Sequence, residues 1–166
     1  PNGTSIWSAG GDNFTVPEGN TQPIFAGAGR DFISGSSGGD TILAHDGDDV
    51  LDMGGGNDVV HLGDGEDRCF GRTGEDIIFG GLGSDQLYGD EGADVLWGDG
   101  PTDSFGADTF YGGQGSDTIL GQSGNDIVNG GPDSDAIAGG TGADLLWGDS
   151  GADIIFGGAD NDSIAG

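Results

Sequence analysis

The stretches Gly112-Gly113-Gln114-Gly115-Ser116-Asp117-Thr118-Ile119-Leu120 and Gly139-Gly140-Thr141-Gly142-Ala143-Asp144-Leu145-Leu146-Trp147 carry one nine-residue pattern. Two glycines, a variable residue, a third glycine and another variable residue lead to Asp. A triplet with an apolar centre follows. Reading outward, the Asp recurs as Asp31, Asp40, Asp49, Asp58, Asp67, Asp76, Asp85 and Asp94, then as Asp108, Asp117, Asp126, Asp135, Asp144, Asp153 and Asp162. Thirteen of the fourteen steps are nine residues, and the step from Asp94 to Asp108 is fourteen. Two residues after each Asp stands an apolar side chain, from Ile33 through Ile164, with Cys69 and Phe110 the departures from aliphatic. Self-similarity at a fixed period is the mark of a solenoid, in which each repeat packs only on its neighbours.

The glycines exclude helix, because each interior Gly costs about 1 kcal/mol relative to Ala. Six turn residues and a three-residue strand are therefore expected in each unit. Gly at turn positions one, two and four allows left-handed backbone and close chain approach. Asp133 and Asp160 replace the fourth glycine with a residue that tolerates that region. A strand points its middle residue to one face and its neighbours to the other. Two units, eighteen residues, then make one coil with two parallel strands whose apolar centres face each other. Coils stacked at about 4.8 Å give an all-β, two-sheet parallel roll, a right-handed β-solenoid of fifteen repeats spanning residues 26–165.

The Gly-Gly-x-Gly-x-Asp-x-aliphatic-x unit resembles the RTX (haemolysin-type calcium-binding) nonapeptide repeat. The resemblance implies a parallel β-roll and Ca²⁺ held between successive turns. It also implies that each ion uses one Asp from each of two stacked turns together with turn carbonyls. In the units closest to the pattern those carbonyls belong to Gly80, Gly81, Leu82 and Gly83; Gly112, Gly113, Gln114 and Gly115; Gly121, Gln122, Ser123 and Gly124; and Gly139, Gly140, Thr141 and Gly142.

Charge and geometry lead to the same ion. The 166 residues carry thirty Asp and Glu against three Arg and no Lys, a formal net charge of −27. Residues eighteen apart stack on one edge of the roll, so one edge carries Asp31 to Asp162 and the other Asp40 to Asp153. Unscreened, each row would repel itself severely. Calcium accepts six to eight hard oxygens at about 2.3–2.6 Å, whereas magnesium demands a tighter octahedron and zinc prefers His and Cys. The rows leave seven gaps and six, so up to thirteen Ca²⁺, +26 in all, would bring the chain near neutrality. The competing reading is that the Asp residues merely cap turns. Because the apolar core is thin beside the backbone entropy to be lost, the chain is expected to fold on binding calcium. Acid should release the ions and unfold it.

Several positions fall outside the pattern. Five extra residues, Pro101 to Phe105, sit within one turn, with Asp103 read as a solvated loop residue. Ala44 and His45 replace the glycines ahead of Asp49. His45 and His61 are read as exposed, and Cys69, the single cysteine, as a buried thiol. Residues 1–25 read as a degenerate cap, with Trp7, Phe14 and Val16 covering the core, or as a linker. Phe70, Phe79, Tyr88, Trp97 and Tyr111 occupy the outward ninth position of successive units. They form either stabilising ladders or a docking surface for an adjacent domain, another copy of the chain or a glycan.

The charge argues against nucleic acid and anionic membrane surfaces, and no run of eighteen apolar residues exists to enter a bilayer. Neither a Gly-x-Ser-x-Gly elbow nor a His-Glu-x-x-His helix is present. The expected role is a non-catalytic calcium-binding module of a larger bacterial secreted or cell-surface protein exported by type I secretion. The alternatives are a carbohydrate-binding or adhesin segment, or the C-terminal module of a secreted hydrolase or toxin.

Overall fold

A computed structural model describes residues 5–6, 10–99 and 106–166. Trp7 and the 101–105 insertion with Asp103 lie outside the described residues. The first nine strands are β1 (Ser5–Ile6), β2 (Asn13–Thr15), β3 (Ile24–Ala28), β4 (Phe32–Ser34), β5 (Thr41–Asp46), β6 (Val50–Asp52), β7 (Val59–Asp64), β8 (Arg68–Thr73) and β9 (Ile77–Leu82). The rest are β10 (Gln86–Glu91), β11 (Val95–Asp99), β12 (Thr109–Gln114), β13 (Thr118–Ser123), β14 (Ile127–Pro132), β15 (Ala136–Thr141), β16 (Leu145–Ser150), β17 (Ile154–Ala159) and β18 (Ser163–Ala165).

Among the described residues, odd-numbered strands form one nine-stranded parallel sheet and even-numbered strands the other, each in chain order. This is a two-sheet parallel β-solenoid of about eight turns, the arrangement the nine-residue period demands. Through most of the roll partners across a sheet are eighteen residues apart, as in Ile42 with Val60 or Val128 with Leu146, and at the N-terminal end nineteen, as in Phe14 with Ile33. Across the insertion the offset becomes twenty-three, Leu87 pairing with Phe110 and Leu96 with Ile119, and the inward slots stay aligned.

Most strands are six residues long, twice the expected triplet. The reason is that pairing continues into the glycine turn: Gly63 pairs with Gly81, and Gly81 with Asp99. Inward alternation therefore reaches two residues beyond the apolar centre, to the first turn position. In the N-terminal coils that position holds Ala26, Ala44, Met53 and Leu62, each at most 2% exposed, with Gly35 the one glycine among them. From Gly71 onward it is glycine. The core is accordingly wider in the N-terminal coils and reduces elsewhere to the row from Cys69 to Leu146.

At the N-terminal end, β2 pairs with β4, and Val16 is buried with Phe14 packed against the core. At the other end Ile154, Phe156 and Ile164 are 52–67% exposed.

Candidate metal centre

Each row of Asp residues is knit by one repeated hydrogen bond. The backbone N–H of a row member donates to Oδ1 of the Asp one coil later, at 2.7–2.9 Å through most of both rows. The last bonds, to Asp153 and Asp162, lengthen to 3.1 Å. Thirteen of the fifteen sequence-assigned Asp residues, all but Asp153 and Asp162, are buried.

The second carboxylate oxygen has no such partner. Oδ2 of Asp31, Asp49, Asp58, Asp67, Asp76, Asp85, Asp94, Asp108, Asp117, Asp126, Asp135 and Asp144 is buried and accepts no hydrogen bond within the protein. Asp40 is reversed: its Oδ2 accepts the Ser36 N–H at 2.8 Å and its Oδ1 is the orphan. A buried, unsatisfied anionic oxygen is costly. Such an oxygen recurs at thirteen of the fifteen sequence-assigned Asp residues, and an external cation is the partner that would satisfy it.

The first-position glycines frame the same place. A Cβ on Gly80 would collide with Asp85 Oδ2 and lie 2.6 Å from Gly98 O; on Gly121 it would meet Asp126 Oδ2 and Gly139 O in the same way. Gly139 repeats this with Asp144 Oδ2 and with Gly157 O at 2.7 Å, and Gly112 with Asp117 Oδ2. A carboxylate oxygen and a carbonyl from the next coil thus converge where a side chain would sit. Among the described residues no three His, Cys, Asp or Glu side chains gather as a metal-holding group. The turn carbonyls beside the carboxylates are the further oxygens this edge offers, a hard donor set that would suit calcium.

Of the remaining carbonyl candidates, Gly80, Gly81 and Leu82 end β9, and Gly112, Gly113 and Gln114 end β12. Gly121, Gln122 and Ser123 end β13, and Gly139, Gly140 and Thr141 end β15; Gly83, Gly115, Gly124 and Gly142 follow these strands. The third-position carbonyls of Leu82, Gln114 and Thr141 already accept an N–H from Gly65, Gly92 and Gly124 at 2.7–2.8 Å. Each of these oxygens keeps one lone pair for another partner.

Burial, more than neighbouring charge, pushes eight of the row carboxyls far above the usual range. Asp49, Asp58, Asp85, Asp117 and Asp126 reach about 7, Asp108 about 8, and Asp67 and Asp94 about 6. The donated N–H of the preceding Asp opposes the rise in every case.

One row member was missed. The Asp12 N–H donates to Asp31 Oδ1 at 2.7 Å, and Asp12 Oδ2 is a buried orphan like the others. The signal in sequence was Asp12-Asn13-Phe14, an Asp two residues before an apolar side chain, but nineteen residues rather than eighteen separate it from Asp31.

The outward aromatics form two ladders. Phe70, Tyr88 and Tyr111 stack at 4.8 and 4.9 Å, with the Arg72 guanidinium over Phe70 at 4.9 Å. On the other sheet His61 stacks on Phe79 at 4.5 Å, and Trp97 tilts 57° from Phe79, opening a groove of about 460 Å³ floored by Gly63 and Gly81.

The model of the RTX calcium-binding nonapeptide repeat matches residues 25–60, 46–78, 70–100, 102–137 and 129–164. The chain belongs to this family, whose repeats bind Ca²⁺ and build a structural β-roll rather than a catalytic fold. No curated protein matches it. Among the described residues no helix is long and apolar enough to cross a membrane.

Proposed function

We propose that the chain is a calcium-driven folding and scaffold module, non-catalytic in itself, within a larger secreted or cell-surface protein of the type I secretion class. The observation that carries this reading is the orphaned carboxylate oxygen repeated along both rows. Each gap between stacked Asp residues would hold one ion, with the two carboxylates joined by turn carbonyls. Asp12 lengthens its row to nine members, so the gaps number eight on one edge and six on the other. When bound, calcium supplies the positive charge that makes burial of these carboxylates favourable.

Binding to the folded chain alone drives folding by mass action. A chain exported through a low-calcium compartment would remain open and close outside the cell. Residues 1–25 act in this reading as the N-terminal cap. Calcium stoichiometry by equilibrium dialysis tests the proposal: uptake approaching the number of gaps supports it, and one or two ions per chain would refute the row-filling arrangement.

The groove between Phe79 and Trp97 favours a second role for the outward ladders, as a surface for an adjacent domain, another copy of the chain or a neutral glycan. Replacing Trp97 and Tyr88 with Ser separates the two uses. Loss of binding with folding intact identifies docking, and loss of folding identifies sheet stabilisation.

A further inference from the structure

Asp99 ends β11, and Gly106 is the next described residue after it. β11 ends at Asp99 in register with Gly81, while its pairing with β13 stops at Trp97 and Leu120. Asp99 occupies the second turn position. That position is held by Gly81 one coil earlier, by Gln122 one coil later and by Asp90 on the opposite edge; Asp90 and Gln122 have left-handed φ of 74° and 76° and half-exposed side chains. Asp99 is instead 3% exposed. Its Oδ2 accepts the Ser123 N–H at 2.9 Å, and its Oδ1 accepts a long bond, 3.4 Å, from the Gly106 N–H.

In undisturbed turns those N–H groups bond to main-chain carbonyls. The third-position Thr73 N–H donates to Gly54 O, and the fourth-position Gly92 N–H donates to Gln114 O. The Asp99 carboxylate therefore stands where other coils place backbone oxygens.

Independent features place that carboxylate at the metal-binding edge. Asp108 is 1% exposed, and its unpartnered Oδ2 lies against Gly98, the residue before Asp99. A Cβ on Gly106 would lie 3.0 Å from Asp108 Oδ1 and 3.2 Å from Asp99 Oδ1, so both oxygens face one side of this turn.

We propose that Asp99 is an additional calcium ligand beside Asp108, an anionic oxygen added to the carbonyl donors of this edge. The proposal rests on the calcium reading above. Ligand charge is a main determinant of calcium affinity, so the turn that the insertion interrupts becomes one of the tightest sites and ties the two ends of the insertion to the roll.

The test is a calorimetric calcium titration of the whole chain and of Asp99→Asn. Asparagine keeps one acceptor oxygen and removes the charge. The variant should lose one ion per chain, or bind one at least about tenfold more weakly, and keep full β signal at saturating calcium. Unchanged stoichiometry and affinity would overturn the proposal. If the variant fails to fold, a crystal structure of the calcium-loaded wild-type chain decides. An Asp99 oxygen about 2.3–2.6 Å from an ion supports the assignment. Asp99 bonded only to Ser123 and Gly106 refutes it. A wild-type chain that takes up no calcium refutes instead the reading on which the proposal rests.

Discussion

The backbone N–H of Asp94 donates to Oδ1 of Asp117 at 2.8 Å, while Asp117 Oδ2, in the same buried carboxylate, has no partner. One oxygen ties successive coils together, and the other is left without a partner in the protein. The two duties can be separated by mutation.

Asp117→Asn keeps an oxygen for the Asp94 N–H and removes the charge. The midpoint of calcium-induced folding should move to higher calcium, on the order of tenfold. Asp46→Asn, at an exposed acid outside the rows, should leave it in place. Titrations followed by circular dichroism make the comparison, and equal shifts for the two variants would mean that only total charge matters.

Gly121 is held by space rather than by backbone freedom. An added Cβ would meet Asp126 Oδ2 and lie 2.6 Å from Gly139 O, so Gly121→Ala should destabilise the calcium-loaded roll by about 1–3 kcal/mol. At Gly10 nothing lies within 4 Å, and Gly10→Ala should fall within about 0.5 kcal/mol of wild type. Denaturant melts at saturating calcium read both.

Acid acts in two opposed ways. In the metal-free roll, burial lifts row carboxyls from 3.8 in the open chain to about 6–8. A group raised on folding contributes stability that is fully present below about 3.8 and is lost as pH climbs through 6–8. Calcium needs the carboxylates ionised, so its affinity falls as pH drops through the same window. The sequence-based expectation that acid simply unfolds the chain covers only the second effect. In chelator, β signal should be greater at pH 4.5 than at pH 8, whereas the calcium needed to fold the chain should be greater at pH 6 than at pH 8.

Cys69 reports on the core. It is fully buried, and burial pushes its thiol well above the ordinary range, so alkylation requires opening of the roll. Labelling should be slow in calcium and fast in chelator. Equal rates would show that the coil around Cys69 opens independently of the metal.

Much of this architecture is legible in the sequence because the period is strict. An Asp every nine residues with an apolar residue two later specifies the inward row, the parallel pairing and the two carboxylate edges. The rest depends on contacts that no single unit contains. Strand length was underestimated because Gly63, Gly81 and their counterparts look like turn residues yet pair across coils. Asp12 escaped notice because one extra residue hides its step to Asp31. The position of Asp99 follows from where the insertion leaves the roll, and spacing alone does not reveal its burial. The different filling of first turn positions, Met53 and Leu62 against Gly80 and Gly112, became meaningful once those positions proved to face the core.

The central claim is that calcium completes the fold, and far-UV circular dichroism of the chain with and without chelator at pH 7.5 tests it most directly. The account predicts a largely disordered spectrum in chelator and a cooperative gain of β signal as calcium is added back. A full β spectrum in chelator, unchanged by calcium, would contradict it.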